Sequence, residues 1–199
     1  TSALLVVILA GLTRALHLDG LMDCCDALFG GYTRERRLEI LKDSRVGAFA
    51  VAGGAGALLL EASAISALPG GLRTPILVLF PALGRWGIVM CMALFPLATD
   101  NTTARGFTSS HVRRNTLAAL ATVAAASFLL AGPLGLALLA AGTALAWVTA
   151  RWAAGLLGGL TGDVYGAVDK VVEIAALLLA VGLHSAWPQL LAPVLPGLA

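Results

Sequence analysis

From Gly47 to Trp187 the sequence is a series of apolar runs broken by short polar or glycine-proline connections, and that pattern decides the fold class. A helix needs about 20 apolar residues to cross roughly 30 Å of hydrocarbon. In lipid the backbone must satisfy its own hydrogen bonds, which leaves helices or closed barrels. Composition agrees, since 59% of the 199 residues are hydrophobic and only 12% are charged. Soluble domains carry about 25% charged residues, so a water-soluble globule is excluded. The expected fold is all-α, a polytopic integral membrane helix bundle forming one transmembrane domain over residues 1–199.

Spans are expected at about Gly47–Leu68, Pro75–Ala98, Thr116–Ala131, Leu134–Leu157 and Val171–Trp187. The separators are Pro69-Gly70-Gly71, the polar stretch Thr99–Asn115, Gly132-Pro133 and Gly158–Lys170. The run Ala3–Leu12 is too short to cross alone. With Thr at position 1 it reads as part of a longer chain with at least one helix upstream. It lacks the basic flank and cleavage site of a signal peptide. Clusters such as Gly53-Gly54-Ala55-Gly56 read as close helix packing in lipid.

Basic residues orient the bundle. Arg34, Arg36, Arg37, Lys42 and Arg45 share one connection, Arg105, Arg113 and Arg114 another, and Arg151 and Lys170 flank a third. By parity all three connections fall on one side, while the other side receives Arg73. That asymmetry makes the charged side cytoplasmic. The net charge of +2 gives no reason to expect a nucleic-acid partner, and three cysteines, two of them adjacent, give no disulfide framework.

Against this background Asp19-Gly20-Leu21-Met22-Asp23-Cys24-Cys25-Asp26 stands out. On a helix Asp19, Asp23 and Asp26 share one face, where like charges repel unless a cation sits among them. Mg²⁺ suits such oxygens, usually together with substrate phosphates. The connection 30–46 reads as an interfacial amphipathic helix, with Leu38, Ile40 and Leu41 on its apolar side. Arg34, Glu35, Arg36, Arg37 and Glu39 read as its solvated face. Lys42-Asp43-Ser44-Arg45 abuts the next span, so Lys42 and Arg45 could hold a diphosphate and Asp43 could join a metal shell.

Arg85 sits within an apolar run, where a charge is functional or paired. Glu61, nearer the far end of its span, is expected to snorkel. Thr161-Gly162-Asp163-Val164-Tyr165-Gly166, with Glu173 following, reads either as a helix entry capped by Asp163 or as a second acidic contribution. His17 is left between core packing and support of the acids, His111 is expected to be solvated, and His184 interfacial. Cys24 and Cys25 read as small helix residues, because thiolates suit softer ions.

Two blocks carry a resemblance. His17–Gly31 with Arg34–Phe49, then Gly158–Ala167 with Glu173 and the pair Arg85-Trp86, resemble the signatures of cobalamin synthase, or adenosylcobinamide-GDP ribazoletransferase. The resemblance runs over about residues 10–183. Cys24-Cys25 and Asp169-Lys170 depart from the family's pattern and are expected to lie clear of the acids. The resemblance implies a Mg²⁺-dependent multi-pass enzyme of the bacterial or archaeal cytoplasmic membrane, with its site facing the cytoplasm. It would join adenosylcobinamide-GDP to α-ribazole, or its 5′-phosphate, and release GMP.

Phosphoryl transfer needs charge neutralisation and an in-line nucleophile. Asp19, Asp23 and Asp26 are the expected metal ligands, with Asp43 or Asp163 completing the site; Asp163 and Glu173 are the candidate proton acceptors, and Lys42, Arg45 and Arg85 the phosphate-binding cations. Two other readings compete. A CDP-alcohol phosphotransferase also uses Asp-Gly-led acidic motifs, although the rest of its signature is absent here. A cation transporter would spread its acids across the membrane depth rather than gather them at one face.

Overall fold

The computed structural model describes residues 2–98 and 110–187, and no strand is present among them beyond one isolated bridge. Arg105 lies outside the described residues, as do the side chains of His111, Arg113 and Arg114. Seven helices follow in order: α1 (Ser2–Leu12), α2 (Leu16–Gly30), α3 (Arg34–Ile40), α4 (Ala48–Ala67), α5 (Gly70–Leu94), α6 (Ser110–Leu157) and α7 (Gly162–Ala186).

Among the described residues three segments are long and apolar enough to cross a membrane: Ala48–Ala67, Gly70–Leu94 and Asn115–Leu157. The α1–α2 pair, bent by 90°, is a fourth if it counts as one broken span. At 1.5 Å per residue the 43 residues of Asn115–Leu157 would reach roughly 65 Å, twice a bilayer core. Gly132 breaks that length with φ 56° and ψ −137°, ahead of Pro133. The two expected spans on either side of this break therefore exist as two arms of α6. Helix α5 starts earlier than expected, because Gly70 and Gly71 enter the helix behind Pro69 instead of separating two spans. It stops at Leu94, since the residue preceding Pro96 is pushed to extended backbone.

Helix α7 is the central element and packs against α2, α4, α5 and α6. Its buried face runs from Val164 to Ala180 and carries Asp169 and Glu173 among apolar neighbours. With Lys170 they interrupt its apolar run, and its second half corresponds to the expected Val171–Trp187.

The polar connections meet at one end of the bundle. Asp26, near the end of α2, accepts hydrogen bonds from the backbone of Gly47 and Ala50 at the start of α4. Phe29 rests against Phe49 and Trp152, with ring centroids 6.1 and 5.8 Å apart. Leu97, after α5, bridges to Leu160, before α7. Arg73, the cation expected on the opposite side, instead bonds Ser2 at the start of α1. The grouping deduced from parity holds for the 30–46 connection against Arg73, whereas Lys170 lies within α7 and turns into the bundle.

Two glycines set the α2–α7 spacing. A Cβ on Gly20 would stand 2.7 Å from the Asp163 carbonyl oxygen, and one on Gly166 would stand 3.2 Å from the His17 Cα. Gly20→Val should therefore cost about 1–3 kcal/mol by overpacking. Gly56→Ala, where a Cβ meets nothing within 4 Å, should cost nothing. Thermal unfolding of both variants in the same detergent checks the pair.

Candidate active site

The Gly20–Gly166 contact decides which acids meet. Asp19 and Asp23 flank Gly20 on α2, and Asp163 lies one turn before Gly166 on α7. Helix α7 begins with Thr161, whose hydroxyl accepts the Val164 N–H at 3.4 Å and lies 3.3 Å from an Asp163 carboxylate oxygen. The cap is thus Thr161, and Asp163 points from the first turn toward α2. The negative charges of Asp19, Asp163 and Asp26 all bear on Asp23. Asp19 is exposed, while Asp23 and Asp163 are half-buried. This patch is open on one side.

Among the described residues no three His, Cys, Asp or Glu side chains converge tightly enough to enclose an ion by themselves. The carboxylates of Asp19, Asp23 and Asp163 are hard oxygen donors, the class of which Mg²⁺ takes one or two beside waters and substrate phosphates.

The remaining expected ligands are placed differently. Asp26 has both oxygens engaged, accepting from Gly47 N at 2.6 Å and Ala50 N at 2.9 Å. It supplies the cap that Gly47 cannot, at the positive end of the α4 dipole. Asp43 binds Arg45, with Nη2 donating at 2.6 Å. Those side-chain bonds, helped by the Arg45 backbone N–H, hold the Asp43 carboxyl down at about 2. Asp43 therefore remains charged at any pH suited to an assay. Arg45 and Lys42 are exposed beside it.

A second cluster lies deeper, between α2, α4, α5 and α7. Arg85 Nη1 donates to Asp169 at 3.0 and 3.1 Å and also bonds Glu173, while Nη2 stands 3.2 Å from His17 Nδ1. Lys170 Nζ donates to Glu61 at 2.6 Å and to Glu173 at 2.8 Å. Asp169 is fully buried, and Glu173 and Glu61 are 3% and 4% exposed. Arg85 and Glu173, expected at phosphate and proton respectively, thus hold each other in a network one helix turn or more below the acid patch. Cys24 is buried and Cys25 packs toward Gly53, as expected of small helix residues.

Two expectations are corrected here. Glu61 does not snorkel; it is buried because Lys170 reaches it across the bundle. Asp169 and Lys170 do not lie clear of the acids, since Asp169 shares Arg85 with Glu173 and Lys170 bonds Glu173 directly. Electroneutrality was the available signal for both, as Glu61 and Lys170 are opposite charges stranded in apolar surroundings. Arg34 is exposed, as expected of α3, but its side chain also binds two backbone carbonyls.

The match to known proteins follows this geometry. Residues 1–181 match the family model described as cobalamin-5-phosphate synthase. The chain belongs to that family. Three curated relatives, each named adenosylcobinamide-GDP ribazoletransferase, are similar along most of it. The protein of Syntrophobacter fumaroxidans is 41% identical over 86% of this chain and 69% of its own length. That of Desulforamulus reducens is 36% identical over 87% and 70%, and that of Roseiflexus sp. (strain RS-1) 37% identical over 88% and 65%. The chain thus spans about two thirds of the length of these relatives. No solved structure matches it.

Variants at Asp19, Asp26 and Lys170 separate the patch from its supports. Asp26→Ala should cost about 0.5–2 kcal/mol of stability, as loss of a helix cap does. Asp19→Ala, exposed and uncommitted to a cap, should leave the unfolding midpoint in place. Lys170→Met should cost about 3–5 kcal/mol by leaving buried carboxylates unpaired. Adding Glu61→Gln to it should restore part of that loss in the same unfolding assay.

Proposed function

We propose that this protein is an adenosylcobinamide-GDP ribazoletransferase of the cytoplasmic membrane, with its site facing the cytoplasm. The observation that carries the reading is the meeting of two acidic signatures across Gly20 and Gly166 in a chain of this family. The substrates are adenosylcobinamide-GDP and α-ribazole, or its 5′-phosphate. The one-sided grouping of basic connections supports the orientation.

In this reaction a ribazole hydroxyl oxygen forms a bond to the phosphorus that stays with adenosylcobinamide. The anhydride bond to the guanosine-bearing phosphate breaks, and GMP leaves with that electron pair. Asp19 and Asp23 would hold Mg²⁺ together with waters and the diphosphate. Bound there, the ion would neutralise diphosphate charge and stabilise the leaving phosphate. Asp163, facing them from α7 and half-buried, accepts the hydroxyl proton. Lys42 and Arg45 stand exposed at the rim and meet the outer phosphate oxygens.

Glu173 is not the proton acceptor in this scheme, because Arg85 and Lys170 both bind it deep in the bundle. Arg85 likewise has its charge matched by Asp169 and Glu173. Its part is to lock α5 to α7 and keep α7 in register with α2.

The test is turnover by the whole protein purified in detergent, with adenosylcobinamide-GDP, α-ribazole and Mg²⁺. Matched release of GMP and corrinoid product, abolished by chelation, is expected. Asp23→Ala should lower kcat by on the order of 10²–10³ with unchanged unfolding. Turnover that survives chelation would remove the metal, and CMP release from a CDP-alcohol substrate would replace the reaction.

A further inference from the structure

Arg34 is the first residue of α3, a short helix whose entry is capped by the Thr33 hydroxyl accepting the Arg36 N–H. Its guanidinium leaves that helix and reaches two distant backbone carbonyls. Nε donates to Leu157 O at 2.7 Å, and Nη2 donates to Ala98 O at 3.2 Å. Leu157 ends α6, so its carbonyl is among those a helix leaves unsatisfied, at the negative end of the dipole. Ala98 follows α5 and pairs with the opposite segment, its N–H donating to Leu160 O at 2.9 Å while the Leu160 N–H donates to Pro96 O at 2.9 Å.

Between these two anchors runs the turn that leads into α7. Gly158 and Gly159 have φ values of +79° and +152°, which side-chain-bearing residues rarely adopt. A Cβ on Gly158 would stand 2.7 Å from Arg34 Nε, and one on Gly159 would stand 2.5 Å from Ala98 N. The turn is therefore clamped between the guanidinium on one side and the 96–98 backbone on the other. Thr161 and Asp163 follow within five residues.

We propose that Arg34 is a positioning residue for the transfer reaction, fixing the Gly158-Gly159 turn so that Asp163 faces Asp19 and Asp23. This rests on the transferase reading above. One guanidinium links three connections: that before α3, that after α5 and that before α7. Arginine suits the task because its fork donates in two fixed directions at once. Lysine can reach one carbonyl but cannot clamp both.

The experiment compares Arg34→Ala, Arg34→Lys and, as a control, Arg36→Ala, whose exposed side chain pairs with Glu39. Arg34→Ala should lower kcat about 100-fold, the cost of a misplacement near 1 Å, and leave the KM for adenosylcobinamide-GDP unchanged. Arg34→Lys should recover part of kcat, and Arg36→Ala should match wild type. Hydrogen exchange at the amides of residues 158–164 should be faster in Arg34→Ala. A raised KM with kcat intact would make Arg34 a substrate contact and overturn the proposal. So would wild-type kcat. If Arg34→Ala does not fold, Arg34→Lys carries the test, with reduced kcat expected and a raised KM contradicting it. If the wild-type protein shows no turnover, the transferase reading fails separately. Exchange then decides alone, and unchanged protection at 158–164 rejects the clamp.

Discussion

Two glycines let α2 and α7 meet backbone to backbone, and the placement of the polar groups depends on that contact. A Cβ at Gly20 would force the backbones to shift, and one at Gly166 would push them by a few tenths of an ångström. Such a shift would disturb the facing of Asp163 on Asp19 and Asp23 and the contact of His17 with Asp169. In lipid no hydrophobic force draws one helix to another, so small residues at the crossing and polar bonds around it do this work. Three open-sided carboxylates above and a closed ionic network below share one seam.

The lower network sets what the upper patch can be. Glu61, Asp169 and Glu173 face Arg85 and Lys170, five ionisable groups within a largely apolar bundle. Each costs several kcal/mol to bury alone, and partnering offsets that cost without adding much stability. What partnering adds is uniqueness of arrangement. Arg85 joins α5 to α7, Lys170 joins α7 to α4, and His17 brings in the start of α2. A register slip in any of these helices would strand a charge in hydrocarbon. The patch can stay open and repulsive because the layer beneath it is fixed.

Much of this was legible in the sequence. Apolar run lengths predict the spans, Gly132-Pro133 marks the break in α6, and the spacing of Asp19, Asp23 and Asp26 predicts their shared helix. The side shared by the basic connections also follows from counting. Partners distant in sequence do not follow. Nothing local in Glu61 says that Lys170 will reach it, and nothing in Arg34 separates it from its charged neighbours on α3. Asp26 shows the same limit from another direction. Its spacing matches Asp19 and Asp23, yet the bare backbone of Gly47 draws it away to cap α4. The 90° bend between α1 and α2 rests on left-handed backbone at Arg14 and Ala15, which neither residue type announces.

The proposed transfer needs Asp19 and Asp23 to hold a cation on α2 while the Asp163 charge faces it from α7. Mn²⁺ titration of the whole protein with GDP present, followed by electron paramagnetic resonance, tests this without requiring turnover. One tightly bound Mn²⁺ is expected, weakened both by Asp23→Asn on α2 and by Asp163→Asn on α7. Binding unchanged in Asp163→Asn would contradict that arrangement, because the two signatures would then not belong to one site.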